Sequence, residues 1–265
     1  MTFTVGYIPY LNMVPFHFDF GPRPMDIKQH RILFRSLSPR TLGIEAQQGK
    51  VDAGAMSLVD CLRLSKEFEP LANYGIGVKH AAKSVLLFSR GPLSELRGTC
   101  AVTDETSTSV RLLQILLDKR YGLHDVRFGR IASSMLFDGS ADALLLIGDE
   151  ALQAAKEGIR GLPVVTDLGS EWFAWQGTPF TFARWVVRRS APLSFKLILE
   201  DKLENSLRTT ESNMEIRAYE EGKAHGFAST EVLDYWQAFD FRLSSTHQES
   251  IGLFQKLIQT QCLTV

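Results

Sequence analysis

The chain has 265 residues, of which 45% are hydrophobic and 22% are charged. This composition is typical of a packed globular protein, and the length predicts one large α/β unit or two lobes. The 29 lysine and arginine residues nearly balance the 30 aspartate and glutamate residues, so the net charge is −1 and favours neither nucleic acid nor an anionic membrane. The apolar runs are far shorter than the roughly 20 residues of a membrane span, and the N-terminus lacks a secretory-signal pattern.

Cysteine and histidine spacing excludes most standard catalytic and metal sites. Cys61, Cys100 and Cys262 are widely spaced among apolar neighbours, which predicts free buried thiols in a reducing compartment. The six histidines never pair at a spacing of three or four residues, so we expect no dedicated metal site. Phosphate-loop, dinucleotide-loop and serine-nucleophile motifs are also missing, and the sequence predicts no nucleotide cofactor.

The first part of the chain alternates strands and helices. Residues 2–7 alternate apolar and polar side chains and predict a strand, which Pro9 ends. Residues 21–28 predict a loop. Further strands are predicted at 31–36, 51–56 and 84–89, and helices at 40–48 and 58–66.

The alternation is repeated in a second block and then gives way to helices. Strands are predicted at 99–103, 126–130, 143–147, 164–166 and 181–188, and helices at 107–120 and 150–156. From Phe195 onward the apolar spacing predicts a chain that is nearly all helical.

This pattern predicts the α/β class with parallel-type sheets. We expect two lobes, the first formed by residues 1–88 and 186–265 with the C-terminal helices, and the second by residues 89–185. We expect a small ligand in a cleft between the lobes, because ligands commonly bind at lobe interfaces near the carboxyl ends of strands.

Six short segments occur in the order found in one enzyme family. The first is Ile8-Pro9-Tyr10-Leu11-Asn12, and the others lie at 51–57, 84–89, 106–110, 146–149 and 172–185. Together they resemble the MqnA/MqnD family of menaquinone biosynthesis. The first segment is similar to that of the chorismate dehydratases in this family rather than to that of the dihydroxynaphthoate synthases. The resemblance implies a two-lobed type II periplasmic-binding-protein fold and a cytoplasmic enzyme without an organic cofactor.

The resemblance also implies a reaction and a set of site residues. The reaction is the loss of water from chorismate, which gives 3-(1-carboxyvinyloxy)benzoate. Aromatisation drives it, so orientation and preorganised hydrogen bonds can carry much of the barrier. Asn12 and Ser84 are the implied catalytic residues. The implied substrate-binding residues are Tyr10, Ser57, Thr106, Ser107, Thr108, Ser109, Asp149 and Phe180. The expected partner is a small dicarboxylate.

Most of these residues have a structural interpretation as well. Asn12 and Asp149 could cap helices, and Ser84 could simply begin a strand. Capping explains one of the four hydroxyl residues at 106–109, whereas all four together favour a carboxylate cradle at a helix start. Ser57 repeats this ambiguity before the first-block helix. An aromatic stretch fits either core packing or an apolar wall against a ligand ring; it comprises Trp172, Trp175, Phe180 and Trp185.

Three basic side chains bear on the reaction. His17 has an ordinary pKa suited to a general base but stands among phenylalanines, and a carboxylate of the substrate is the alternative proton acceptor. Lys83 stands where relatives commonly have glycine, and Arg184 stands at a position that is apolar in the family. Either departure could change the substrate.

Two other functions stay open at this point. A solute-binding protein of the same fold would normally carry an export signal or a lipid-anchor cysteine near its N-terminus, and neither is visible. A sister enzyme of the dihydroxynaphthoate synthase type is disfavoured by the opening segment. The oligomeric state is not predicted.

Overall fold

The computed structural model of the chain describes residues 1–17, 23–103, 106–132 and 137–260. The strands are β1 (Thr2–Tyr7), β2 (Met25–Ile27), β3 (His30–Ser36), β4 (Ala53–Ser57), β5 (Phe68–Val78), β6 (Val85–Ser89), β7 (Thr99–Thr103), β8 (Arg127–Ile131), β9 (Ala143–Ile147), β10 (Val164–Asp167), β11 (Phe180–Arg188) and β12 (Phe239–Arg242). The α-helices are α1 (Pro39–Gln47), α2 (Leu58–Arg63), α3 (Thr108–Ile115), α4 (Gly148–Glu157), α5 (Leu168–Gln176), α6 (Leu193–Ser212), α7 (Met214–His225), α8 (Ser229–Trp236) and α9 (Ser245–Thr260). Two 3-10 helices are Leu11–Phe16 and Leu93–Glu95, and Leu116–Arg120 continues α3 as a π-helix.

The chain forms two compact units. Unit 1 comprises Met1–Gly77 and Phe182–Leu243, and unit 2 comprises Val78–Thr181 and the C-terminal segment from Ser244. The α/β class is confirmed, since each unit combines a sheet with helices. Among the described residues, no helix is both long and apolar enough to cross a membrane.

Unit 1 is built on a seven-stranded sheet of order β12-β5-β11-β4-β1-β3-β2. β1 runs parallel to β3 and β4, whereas β11 runs antiparallel to β4. Tyr7 therefore lies opposite Ser36, and Ala183 lies opposite Ser57. The carboxyl ends of β1 and β4 and the first half of β11 share one edge of the sheet.

An aromatic core in unit 1 fixes the segment that follows β1. The ring of Phe16 lies 5.7 Å from Trp185 and 5.5 Å from Phe241. The indole N–H of Trp236 donates to the carbonyl oxygen of Leu11 at 2.8 Å. The 3-10 helix Leu11–Phe16 is thus anchored at both ends, and its second residue, Asn12, is held at the sheet edge.

Unit 2 is built on a five-stranded sheet of order β10-β6-β9-β7-β8. β7 is parallel to β8 and β9, whereas β6 is antiparallel to β9 and β10. Val85 pairs with Ile147, and Leu86 pairs with Asp167. One edge of this sheet therefore gathers the carboxyl ends of β7, β9 and β10 and the amino end of β6. Both sheets are mixed rather than parallel, because β6 and β11 run against their neighbours.

The division into units differs from the predicted lobes in three places, one of which is the short stretch 182–185, expected in the second lobe but part of unit 1. β6 was expected in the first lobe, but it pairs with β9 and β10 inside the sheet of unit 2. α9 was also expected there, but it groups with unit 2, because Phe254 packs 5.0 Å from Phe180 and 6.0 Å from Trp172. The chain accordingly changes unit after Gly77, after Thr181 and again after Leu243.

Candidate active site

Asn12 lies at the carboxyl edge of the unit 1 sheet with a buried amide oxygen. Tyr10, two residues before it, occupies the N-cap position of the 3-10 helix Leu11–Phe16. The carbonyl oxygen of Tyr10 accepts from the main-chain N–H of Met13 at 2.9 Å, and no side chain caps this helix. Asn12 is therefore not the cap. Its Oδ1 accepts no hydrogen bond from any described residue. A buried acceptor without a donor is costly, so this oxygen is suited to receive a hydrogen bond from a ligand.

Ser57, at the end of β4, is committed to capping α2. Its hydroxyl donates to Oδ2 of Asp60 at 2.6 Å and accepts from the Asp60 main-chain N–H at 3.3 Å. Asp60 in turn accepts from Arg63 at 2.8 Å. Because the hydroxyl proton of Ser57 is already donated to Asp60, this hydroxyl could only accept a hydrogen bond from a ligand.

Ser84 stands at the corresponding edge of unit 2, directly before β6. The residue is buried, and its hydroxyl lies 3.5 Å from the carbonyl oxygen of Ala82. Its own carbonyl oxygen accepts from the main-chain N–H of Gly148 at 2.9 Å. The strand end and the start of α4 are therefore joined at Ser84.

The hydroxyl residues at the start of α3 differ in hydrogen bonding and in burial. Ser107 occupies the N-cap position of α3 without a side-chain cap, and Thr106 Oγ1 instead accepts from the main-chain N–H of Ser109 at 3.3 Å. Thr106, Thr108 and Ser109 are buried, whereas Ser107 is half-buried. Thr103, at the end of β7, was missed by the sequence analysis. Its hydroxyl is buried and has no hydrogen-bond partner among the described residues, which makes it a second polar group available to a ligand.

Asp149 lies in the first turn of α4, at the same edge. The N-cap position is Ile147 and no side chain caps this helix, so Asp149 is not the cap. Its carboxyl group is half-buried. Asp149 follows the carboxyl end of β9, the start of α3 follows that of β7, and Ser84 precedes the amino end of β6. These strand ends share one edge of the sheet, so the three groups lie on one side of unit 2.

The aromatic stretch belongs mostly to the two cores. Phe180 is 1% exposed and lies 5.1 Å from Trp172 and 5.0 Å from Phe254 in unit 2. Trp185 is fully buried in the core of unit 1 against Phe16. Phe180 and Trp185 therefore have the core-packing role, which was one of the two interpretations of the aromatic stretch; the other was an apolar wall against a ligand ring.

His17 is unsuited to act as a base near neutral pH. Its ring lies 4.5 Å from Tyr7 and 5.9 Å from Trp185, and burial lowers its pKa to about 3. The imidazole is therefore neutral at pH 7 and too weakly basic to hold an abstracted proton well. Phe18 and Phe20, beside it in sequence, lie outside the described residues.

Arg184 is a half-buried cation at the edge of unit 1. It pairs with Met56 on β4, and burial lowers its pKa. Its Nε is shielded from water and makes no hydrogen bond within the described chain. A guanidinium in this state favours a bound carboxylate, because a desolvated cation without a counter-ion is costly.

Two cysteines fall within the described chain and neither suits nucleophilic chemistry. Burial raises the pKa of the Cys61 thiol and of the Cys100 thiol to about 12, so both are protonated at neutral pH. Both are free thiols, as predicted, and Cys262 lies outside the described residues. Among the residues that the structure describes, no three histidine, cysteine or acidic side chains gather in a way that could hold a metal.

Solved structures share the architecture of this chain at low sequence identity. Protein AF1704 from Archaeoglobus fulgidus is 14% identical with a TM-score of 0.76, covering 97% of each chain. The periplasmic aliphatic sulphonate binding protein SsuA from Escherichia coli is 16% identical with a TM-score of 0.63, covering 97% of this chain and 85% of its own. The CA3427 gene product of Candida albicans, described as having the generic periplasmic binding protein fold, is 10% identical with a TM-score of 0.67, covering 100% of this chain and 92% of its own. These likenesses confirm the predicted periplasmic-binding-protein fold.

A comparison with families agrees with the motifs. The family model described as menaquinone biosynthesis matches residues 3–260, a span that contains all six segments on which the resemblance rests. The chain therefore belongs to the menaquinone biosynthesis family.

Proposed function

We propose that this protein is a chorismate dehydratase, a carbon–oxygen lyase that converts chorismate to 3-(1-carboxyvinyloxy)benzoate and water. Family membership supports a role in menaquinone synthesis, and the Ile8-Pro9-Tyr10-Leu11-Asn12 segment favours this member reaction. The observation that carries the proposal is the Asn12 amide oxygen, buried at the end of β1 without a donor among the described residues. We also propose that the protein is cytoplasmic, as the family resemblance implies.

The elimination needs a proton acceptor and a group that receives the leaving hydroxyl. A C–H bond breaks at the ring carbon that bears the ether oxygen, its electron pair forms the aromatic double bond, and the neighbouring C–OH bond breaks. Water is formed from that proton and hydroxide. Because burial lowers the pKa of His17 to about 3, we propose that a carboxylate of the substrate, rather than His17, takes the proton.

We propose that Asn12 and Ser84 hold the reacting part of the substrate. The Asn12 amide oxygen can accept from a substrate hydroxyl and so orient it, while the NH2 group of the same amide can donate to the departing oxygen atom, where negative charge develops. Ser84 supplies a hydroxyl from a rigid strand start, fixed by the bond from the Gly148 N–H to its carbonyl oxygen. Such preorganised groups stabilise developing charge without reorganisation during the reaction.

We propose that the remaining groups bind the two substrate carboxylates. Hydroxyl groups and main-chain N–H groups at the start of α3 offer donors where the helix dipole is positive. Tyr10 and Asp149 complete the proposed binding residues, whereas Ser57 is committed to the cap of α2 and Phe180 to the core of unit 2. Arg184 adds a desolvated cation that would pair with a carboxylate.

Incubation of the purified protein with chorismate, followed by mass spectrometry, tests the proposal. The expected product is lighter than chorismate by one water. The Asn12→Ala variant is the matched control, and we expect it to form this product much more slowly. Binding of chorismate without conversion would favour a solute-binding protein, and failure to bind chorismate would favour the sister enzyme of a later step.

A further inference from the structure

One carboxylate in unit 2 joins two segments that lie far apart in sequence. Asp167 ends β10 and caps α5 by accepting from the main-chain N–H of Ser170 at 3.0 Å. The same carboxylate accepts from the main-chain N–H groups of Ala82 at 3.0 Å and of Lys83 at 2.7 Å. Asp167 thus holds the two residues that directly precede Ser84.

The held segment has a backbone conformation that needs support. Lys83 has a φ of +60°, in the left-handed region that favours glycine over residues with a Cβ atom. Lys83 adopts it while its N–H is bonded to Asp167 Oδ2. Because the φ of Lys83 sets the direction in which the chain enters β6, this conformation also sets the position of Ser84.

Close packing of α5 against the same segment makes this contact possible. A Cβ atom on Gly169 would lie 2.8 Å from the carbonyl oxygen of His80 and 3.0 Å from the main-chain nitrogen of Ala82. Only a glycine lets the helix start come this near. The packing therefore brings Asp167 into reach of residues 82 and 83.

We propose that Asp167 is a positioning residue for Ser84, acting by holding Lys83 in its left-handed conformation. The proposal rests on the proposed dehydratase function, in which Ser84 contacts the substrate. Asp167 itself does not touch the substrate. Its effect on turnover therefore passes entirely through Ser84 and depends on the residue at position 83.

Two variants separate this clamp from helix capping. Asp167→Asn keeps one acceptor oxygen but turns an amino group toward an N–H that needs an acceptor. Asp167→Ser retains a good N-cap for α5 but is too short to hold residues 82 and 83 as well. For both variants we expect kcat for chorismate to fall about 100-fold, because a small misplacement of a reacting group has an effect of that order. The KM for chorismate should change far less than kcat.

Two backgrounds show whether the effect passes through residues 83 and 84. In Lys83→Gly the Asp167→Asn change should cost about tenfold less in kcat than in the wild type, since glycine adopts a positive φ without help. In Ser84→Ala it should cost nothing further. An equal kcat loss in all three backgrounds overturns the proposal, because a purely structural role would act regardless of positions 83 and 84.

Asp142→Asn is the matched control at the opposite edge of the same sheet. Asp142 accepts from the main-chain N–H of Thr99 at 2.9 Å, so it is a second carboxylate clamp on the backbone of unit 2. This variant should lower thermal stability while leaving kcat at the wild-type value. A loss of kcat as large as that of Asp167→Asn would assign both effects to general loosening of the unit.

Amide hydrogen exchange tests the clamp without any substrate. The N–H groups of Ala82 and Lys83 should exchange about tenfold or more faster in Asp167→Ser than in the wild type, and unchanged exchange would overturn the clamp. Absence of chorismate turnover in the wild type would instead overturn the proposed function and the catalytic role of Ser84. Wild-type turnover in Asp167→Ser, in a protein that does convert chorismate, would overturn the positioning role alone.

Discussion

The main-chain N–H of Gly148 donates to the carbonyl oxygen of Ser84 across 2.9 Å. This bond extends the pairing of β6 with β9 past Val85 and Ile147, so the start of β6 and the start of α4 are held together. Gly148 makes it with a φ of +63°, a conformation that is unfavourable for residues with a side chain. A backbone feature of α4 therefore supports the side chain proposed to act on the substrate.

Gly148→Ala should lower both stability and turnover. The forced positive φ costs about 1–2 kcal/mol, and relaxation of the helix start would shift Ser84 and lower kcat by at least about tenfold. The free energy of unfolding in urea and kcat for chorismate measure the two effects. Gly226→Ala is the control, since Gly226 ends α7 with a φ of +78° and open space around it. It should show the same loss of stability with wild-type kcat.

Asn12→Ala and Ser84→Ala should reduce turnover far more than stability. Loss of one hydrogen bond to a developing charge is worth about 2.7–4 kcal/mol, or roughly 100- to 1,000-fold in kcat. Ser38→Ala is the contrasting variant, because Ser38 only caps α1 through the Thr41 N–H at 3.3 Å. It should lose about 1 kcal/mol of stability and no activity. Wild-type turnover in Asn12→Ala and Ser84→Ala would show that these residues are structural.

The three central strands of unit 2, β6, β7 and β9, were predictable from local sequence because their burial is nearly uniform. All five residues of β6 and all five of β9 are buried, so their apolar runs predict strands directly. β5 was missed, since Pro70, Asn73 and two glycines interrupt any alternation and the strand forms because its neighbours pair with it. The placement of α9 depends on contacts of Phe254 with distant aromatic rings, which helical periodicity cannot reveal.

The candidate site was predictable where it depends on strand ends and not where it depends on distant partners. Asn12, Ser84 and Asp149 were identified from motifs at strand ends, and the structure places each at such an end. Asp167 was missed because its partner Lys83 lies 84 residues away in sequence. No spacing rule connects two such positions, which are brought together by the pairing of β6 with β10 and by the packing of α5.

Arg184→Met should weaken substrate binding without weakening the fold. A charged hydrogen bond is worth about 1.5–3 kcal/mol, so KM for chorismate should rise about 10- to 100-fold. The free energy of unfolding should be unchanged or higher, because the variant removes a desolvated cation that has no carboxylate partner among the described residues. Arg189→Met is the control, since Arg189 forms a half-exposed ion pair with Glu69 at 3.1 Å. An unchanged KM in Arg184→Met would mean that Arg184 does not contact the substrate.

The buried imidazole of His17 should make stability fall in mild acid. Its pKa is lowered to about 3 in the folded protein and is about 6.5 in the unfolded chain, so between these values the unfolded chain binds the additional proton. The resulting stability is fully present above pH 6.5 and is lost progressively as the pH falls toward 3. Lowering the pH from 7 to 5 should therefore remove about 2 kcal/mol from the free energy of unfolding.

Comparison of the wild type with His17→Phe in urea at pH 7 and pH 5 isolates this effect. Phenylalanine keeps a ring against Tyr7 and Trp185 but has no proton to bind, so the variant should lose about 2 kcal/mol less between the two pH values. Glu204, whose pKa is lowered to about 2 chiefly by its hydrogen bond with Arg242, loses its contribution mainly below pH 4.5 and is common to both proteins. Equal pH dependence in the wild type and His17→Phe would show that His17 is able to protonate in the folded protein, which would restore it as a candidate base.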